Sequence, residues 1–480
     1  MISMALIAVD GTIIATAVPS IVHQLGGFSQ FPWLFSIYLL SQAVTVPLYG
    51  KFSGVVGRKP ILYLGIGIFL TGSVLCGIAW SMPILIAARA LQGIGAGAVQ
   101  PTILTIIGDL YSVDERSRVQ GYMASVWAIS SVIGPSLGGL FTQYLSWRWI
   151  FFVNLPIGAI AYWMLQLNFK EKVVRQKQSI DFLGALLLTS GCSLIILALL
   201  EGGVVWKWIS SIGISILVLG IVFLVIFIYV ESRVTDPIIP MWVLRHRVLL
   251  LSDIAAAGAG IIMIGLTAYI PTFAQGVLGA KPVSAGLALA ALVLGWPVAS
   301  TNSGKLYLKI GFRNTMFIGT AIVCLGTWTA SRLDRSSSIW EVALACFIVG
   351  IGVGLSVTPG LVMVQSMSDW HRRGIVTSTN LFSRSLGSAI GAAIFGAIAN
   401  ASISGRLARL PSGLVLSSPV NVDSLNLALT RSNGDLKTKA FAQSAIFQAT
   451  HGVLLTSTGV AVLILVAIWF LPAKVKALGT

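Results

Sequence analysis

Four charged side chains stand inside long apolar stretches of the sequence: Asp10, Arg89, Asp253 and Arg384. Charge within a membrane-length apolar segment is costly, at least ~2.5 kcal/mol near a helix centre, so such residues mark wet or functional interiors. Asp10 lies in Ala8-Val9-Asp10-Gly11-Thr12-Ile13-Ile14-Ala15-Thr16-Ala17-Val18-Pro19. The helix that precedes it rises about 13 Å at ~1.5 Å per residue, which is near the middle of a hydrocarbon layer of ~30 Å. Desolvation there disfavours the charged form, which suits a group that takes up and releases a proton. Arg89, in Ala88-Arg89-Ala90-Leu91-Gln92-Gly93, must face protein or a wet cavity unless it snorkels to the surface. Asp253 sits a few residues inside its segment. It either pairs with Arg245 or Arg247 near the interface or belongs to the same proton chemistry. Arg384, with Tyr38, Gln42, Gln92, Trp127, Tyr269, Trp296, Asn380 and Phe382, could line a wet, aromatic chamber. Each of these taken singly reads as a packing residue.

The elements that position these groups are membrane helices. Of 480 residues, 56% are hydrophobic and 10% charged, with a mean hydropathy of +0.91. Soluble chains carry about 25% charged residues. At ~20 apolar residues per span, the sequence predicts fourteen: 1–20, 32–50, 61–80, 83–108, 119–142, 149–167, 181–200, 208–230, 249–272, 284–303, 315–331, 340–363, 376–400 and 449–471. Met1 to Pro19 has no basic n-region and carries Asp10 mid-way, so it reads as the first span rather than a cleavable signal. Lys and Arg set the orientation. With the N-terminus inside, the inner gaps and the C-terminus hold nineteen of them, the short outer gaps five, and the long outer loop 401–448 five more. This positive-inside bias places both termini in the cytoplasm. It also accounts for the net charge of +16 without nucleic acid, for which no fingerprint is present. Cys76, Cys192, Cys324 and Cys346 all fall in apolar segments, so neither a disulfide nor a metal site is expected.

The chain repeats itself. Gly50-Lys51 with Gly57-Arg58 recurs as Gly304-Lys305 with Gly311 and Arg313. Gly93-Ile94-Gly95-Ala96-Gly97 with Pro101 recurs as Gly350-Ile351-Gly352-Val353-Gly354 with Pro359, and Gly134 and Gly138 recur as Gly387 and Gly391. A near-constant offset over separate landmarks argues for duplicated halves. The predicted fold is therefore an all-α integral membrane protein of two pseudo-symmetric six-helix bundles, 1–167 and 249–480. Residues 168–248 form a linker that contributes an inserted helix pair and an interfacial segment.

Several motifs resemble those of the major facilitator superfamily. Its loop between the second and third helices reads roughly G-x-L-x-D-x-x-G-R-K. Gly50, Gly57, Arg58 and Lys59 match it, whereas Gly54 stands at the acidic position. Asp109, at the inner end of the fourth span, is then a substitute partner for Arg58 in an inner gate. Arg89-Ala90-Leu91-Gln92-Gly93 resembles the superfamily's R-x-x-Q-G motif, whose Arg is tied to proton coupling. Gly134-Pro135-Ser136-Leu137-Gly138-Gly139 resembles the G-P-x-x-G-G signature of its antiporters. The segment around Asp10, the stretch Trp147 to Gly158, and Tyr269-Ile270-Pro271 with Gln275 and Gly279 are similar to the fourteen-helix drug:proton antiporter family.

That resemblance implies a proton-coupled transporter, not an enzyme, that exports small amphipathic or cationic compounds by alternating access. It would sit in the cell membrane, act as a monomer, exchange substrate for protons and use no cofactor. Asp10, Arg89 and Asp253 would carry the coupling. An exporter of a specific metabolite or lipid on the same scaffold is the alternative. A receptor or channel fits the intramembrane charges less well. No G-x-x-x-x-G-K-[ST] occurs, which argues against ATP as the driver.

Overall fold

A computed structural model describes residues 1–25, 33–169, 171, 181–202, 206, 209–234, 237–407 and 436–472. Most of the predicted outer loop 401–448 lies outside the described residues, as do Lys170, Lys172, Arg175 and Lys177 of the linker and Lys474 and Lys476 at the C-terminus.

Among the described residues the chain forms sixteen helices and no strand. In order they are α1 (Ile2–Leu25), α2 (Trp33–Val55), α3 (Arg58–Gly77), α4 (Met82–Leu110), α5 (Val113–Tyr144), α6 (Trp149–Phe152), α7 (Asn154–Asn168), α8 (Phe182–Glu201), α9 (Ser211–Glu231), α10 (Met241–Arg245), α11 (Arg247–Gly276), α12 (Pro282–Ile310), α13 (Phe312–Ser331), α14 (Ile339–Ser366), α15 (Trp370–Leu407) and α16 (Leu436–Trp469). Each of the fourteen predicted stretches falls on one of these helices or, for 149–167, on the α6–α7 pair. Among the described residues, ten helical stretches are long and apolar enough to cross a membrane by length and composition. On α9 the side chains of Ile212, Val218, Leu219, Val222, Val225 and Ile226 are all exposed, a surface that only lipid solvates without penalty.

Local chemistry shapes the helices around the site. Pro156 lacks the N–H that would bond the carbonyl of Phe152, and the helix breaks there into α6 and α7. Val153 keeps helical dihedrals between them, and Asn154, the first residue of α7, is fully buried. Ser338 and Glu341 form a capping box at the start of α14: the Glu341 amide donates to Ser338 Oγ at 3.3 Å and the Ser338 amide to Glu341 Oε2 at 2.8 Å. Gly57 and Gly311 both have positive φ, 108° and 86°, a conformation that a Cβ would strain. They occupy the same turn in the two copies of the repeat.

The repeat is visible in the packing. A Cβ on Gly95 would lie 2.4 Å from the Phe69 amide and 2.7 Å from the Gly65 carbonyl. On Gly352 it would lie 2.6 Å from the Val323 amide and 2.7 Å from the Gly319 carbonyl. Helix α4 thus lies against α3 as α14 lies against α13, backbone to backbone. One apolar core joins Ile66, Phe69, Val99 and Leu104 to Leu188 and Cys192 of α8, Phe227 of α9 and Phe382 of α15. A second joins Ile262, Leu292, Val323, Val349, Ile446 and Ala461. Helices α8 and α9 lean on the first core, with α8 against both α2 and α15.

Candidate functional site

A buried polar knot sits where α1, α2, α3, α4 and α7 meet. Asp10 and Arg89 are each 1% exposed, and Arg89 Nη1 lies 2.7 Å from Asp10 Oδ2. The same Nη1 donates to Gln92 Oε1 at 2.7 Å, and Arg89 Nε donates to the Leu34 carbonyl at 3.2 Å. Gln92 Nε2 and Asn154 Nδ2 both donate to Asp10 Oδ1, at 2.7 and 2.8 Å, and both reach Ser73 Oγ. The guanidinium lies 4.2 Å from the centroid of the Tyr38 ring, a cation–π contact. Arg89 and Gln92 face the same way because they are three apart on α4. Ser73 reaches them because α3 and α4 touch at Gly72, where a Cβ would lie 2.7 Å from the Gln92 amide.

Asp10 is therefore buried, as its place in an apolar run implies, but it is paired. It is held by a cation and two amides. Tyr38 Oη and Asn154 Oδ1 are buried at the knot without a partner among the described residues, so its network is not saturated. One turn away, Gly134 lies against Thr12, whose Oγ1 is 2.1 Å from where a Cβ would stand, and Thr12 Oγ1 donates to the Ser130 carbonyl. This glycine of the Gly-Pro motif fastens α5 to α1 beside Asp10. Gly138 is buried, a Cβ on Gly139 would meet open space, and the side chain of Pro135 lies outside the description.

A separate cavity of about 380 Å³ lies between the two halves, lined by residues of α1, α4, α5, α11, α12, α14 and α15. Trp127, Trp296 and Arg384 line it; Asp10, Arg89 and Asp253 do not. Of the other chamber candidates, Tyr38 and Gln92 belong to the knot. Gln42 is one residue removed, donating to Gln100 Oε1 of the cavity wall at 3.0 Å. Asn380 Nδ2 donates to Asp253 Oδ1 at 2.9 Å, Phe382 packs in the core beside α8, and Tyr269 meets Phe395 edge-on. Asp253 is buried and has no ion pair among the described residues, and Arg245 and Arg247 are exposed. Of the two readings of Asp253, the pairing with Arg245 or Arg247 is absent among the described residues, and an amide from α15 meets the carboxylate instead.

At the end of the bundle that carries the basic loops, the halves are clasped. Asp109 Oδ2 accepts from Arg58 Nε at 3.1 Å and Asp109 Oδ1 from Arg373 Nη1 at 2.6 Å. One carboxylate of α4 thus bridges α3 and α15. Arg58 is buried and also donates to the Ser53 and Trp370 carbonyls, with its guanidinium 3.9 Å from the Trp370 ring centroid. Lys59 Nζ donates to the Phe169 carbonyl at 2.5 Å. A Cβ on Gly54 would lie 2.7 Å from the His371 carbonyl, and one on Gly50 1.9 Å from Ser378 Oγ. The absence of an acidic residue at position 54 has this physical reason: α15 lies too close for a side chain. Arg116 Nη1 to Ser366 Oγ at 3.0 Å, Gln365 Nε2 to the Leu104 carbonyl at 3.0 Å, and Tyr307 Oη to the Val113 carbonyl complete the seam.

The Major Facilitator Superfamily profile matches residues 1–392. The chain belongs to that superfamily. Multidrug resistance protein 3 of Bacillus subtilis (strain 168) is 37% identical over 393 residues, 82% of this chain and 76% of the relative. Multidrug transporter protein MdtP of the same strain is 33% identical over 83% of this chain and 74% of its own length. Efflux pump dotC of Dothistroma septosporum (strain NZE10 / CBS 128990) is 31% identical over 81% and 68%. Two solved folds superpose at low identity. The human organic anion transporter MFSD10 gives a TM-score of 0.62 at 14% identity over 96% of this chain and 97% of that one. The proton:xylose symporter XylE gives 0.64 at 13% over 99% and 95%. A member of this superfamily is a transporter of small molecules in a membrane, not an enzyme.

Against that family frame, sequence reasoning missed several residues that the structure places at these sites. Glu171 accepts from the Arg58 and Lys59 amides at 2.8 Å each, capping α3, whose Gly57 offers no side chain. An acid in the linker of a basic protein was the available signal. Arg373 was counted only as a basic loop residue. Ser73 and Gln120 gave no signal beyond polarity within a span.

Proposed function

We propose that this facilitator is a proton-driven exporter of small amphipathic compounds. In this reading 1–167 and 249–480 are the two rocking bundles, 168–248 supplies the inserted pair, and fourteen spans leave both termini in the cytoplasm of a cell-membrane monomer. The observation that carries the reading is the buried Asp10–Arg89 pair. A proton arriving on Asp10 would remove the charge that holds the guanidinium and release Arg89 from α1. Because α1 is fastened to α5 at Gly134, and α5 meets α12 across the interface, a shift of α1 would reach the contact between halves. The clasp lies at the end assigned to the cytoplasm, so the arrangement described is the one closed on the inside, and alternating access requires that the clasp open. Relatives named for multidrug resistance, multidrug transport and efflux support the direction and substrate breadth.

The test is dye flux in proteoliposomes under an imposed pH gradient. Wild type should accumulate the dye against its gradient. Asp10→Asn should lose uphill transport at least about tenfold while exchanging dye at equilibrium, since an amide cannot release a proton. Uphill transport at the wild-type rate by Asp10→Asn would remove Asp10 from the coupling, and Asp253 would take its place.

A further inference from the structure

The sequence reading left cationic compounds open as cargo, yet the cavity between the halves is built with the opposite polarity. Among its described lining residues Arg384 is the one charged side chain. The ion pairs found among the described residues are Arg58–Asp109, Arg89–Asp10 and Arg373–Asp109. Arg384 belongs to none of them and lines the wall half-buried, whereas Arg89, fully buried, has a carboxylate at 2.7 Å. A guanidinium that is partly desolvated and unmatched favours any oxyanion that can reach it.

A second observation points the same way. Gln120 lines the cavity, is 8% exposed, and its Nε2 has no acceptor among the described residues. Gln100, also on the wall, spends its Oε1 on Gln42, which leaves its amide N–H groups as the available donors. The Thr358 hydroxyl is engaged with Ser300. The unspent N–H donors of the wall are thus those of Arg384, Gln120 and Gln100, while Ser131, Thr267 and Ser388 spend their hydroxyl protons on main-chain carbonyls. Trp127 and Trp296, one from each half, supply indole faces in the same cavity. Its volume of about 380 Å³ suits a ligand of one or two rings.

Resting on the exporter reading, we propose that the cavity takes small aromatic amphiphiles that carry one oxyanion, such as a carboxylate, sulfonate or phosphate, seated on Arg384, with the ring system against Trp127 and Trp296. The full-length protein is purified in detergent and titrated calorimetrically with three probes that share a ring and differ in charge: naphthalene-2-sulfonate, 2-naphthalenemethanol and 2-naphthyltrimethylammonium. The sulfonate should bind about tenfold or more tighter than either of the others. Arg384→Gln should weaken the sulfonate about tenfold and the alcohol less than about twofold, and Arg384→Lys should restore the sulfonate to within about threefold, because the charge is kept and only the fork is lost. The retained alcohol affinity reports that the variant is folded. A wild-type protein that binds the trimethylammonium probe as tightly as the sulfonate overturns the inference, and so does an Arg384→Gln protein with unchanged sulfonate affinity. Flux of the same probes under a pH gradient separates the two readings. Export of the alcohol or the cation without the sulfonate overturns the anion inference alone, whereas failure to move any probe uphill, with sulfonate binding intact, overturns the exporter reading alone.

Discussion

Asp10 and Arg89 are each tolerable in the hydrocarbon because the other is there. Breaking a buried pair by removing one partner leaves an uncompensated charge, at about 3–5 kcal/mol, whereas removing both together costs much less. Melting in detergent should therefore show Asp10→Asn and Arg89→Gln each melting lower than wild type, with Asp10→Asn still folded at the temperature of the flux assay, and the double variant more stable than either single one. Additive losses in that cycle would mean that the 2.7 Å contact contributes no coupling energy. Both charges could be picked out of the sequence, since an ionisable residue in an apolar run is conspicuous. Their mutual contact could not, because 79 residues separate them and no periodicity spans that distance. Asn154 and Ser73 stayed hidden for a different reason: neutral polar residues are common in spans, and which of them reaches Asp10 depends on how α7 packs against α1 and α3. Arg384 was read as facing a cavity, but nothing in the sequence says that it has no acidic neighbour there.

Helices meet in this fold where glycine lets backbones touch, and the two copies use the same positions. A Cβ on Gly93 would lie 2.4 Å from the Tyr38 carbonyl, and one on Gly350 2.2 Å from the Leu292 carbonyl. Both are contacts with main chain, which cannot swing aside. Gly93→Ala and Gly350→Ala should each lower thermal stability by about 1–3 kcal/mol through overpacking. Gly67 is the control: it is exposed on α3 and a Cβ there meets nothing within 4 Å, so Gly67→Ala should stabilise by about 0.5–1 kcal/mol. Equal melting temperatures for all three would show that the glycines are not packing sites. At this scale the sequence was informative, because offsets between glycine runs report which helix pairs correspond. The helices expected at 181–200 and 208–230 fall on α8 and α9. That α8 wedges against α2 and α15 was not legible, since an apolar helix buried on one side and lipid-facing on the other shows no contrast between its faces.

Across the whole molecule, one carboxylate touches both halves at the end that carries the basic loops. Gly54 removes the acid usual in this loop, and the close approach of α15 at His371 leaves no room for one. The closing charge is supplied instead by Asp109, which holds Arg58 of its own half and Arg373 of the other. The Arg58 contact was within reach of the sequence, because both residues sit at the same end of adjacent spans. The Arg373 contact depends on how the halves dock, which loop charge counts do not encode. Asp109→Asn should loosen this end without unfolding the protein, because each arginine keeps its carbonyl partners: Ser53 and Trp370 for Arg58, and Gly108 and Gln365 for Arg373. The readout is a single cysteine at Ser378, which is buried against Gly50 in the closed seam, in a chain whose Cys76, Cys192, Cys324 and Cys346 are replaced. An impermeant maleimide applied from the side of the basic loops should label it slowly in the otherwise wild-type chain and about fivefold or more faster with Asp109→Asn, the change expected when ~1–2 kcal/mol is removed from the closed arrangement. Asp109→Glu, which retains the charge, should stay near the slow rate. If Asp109→Asn labels no faster, the seam is held by the backbone contacts at Gly50 and Gly374 rather than by charge. Labelling from the opposite side alone would instead invert the proposed topology, and with it the assignment of the clasp to the cytoplasmic end.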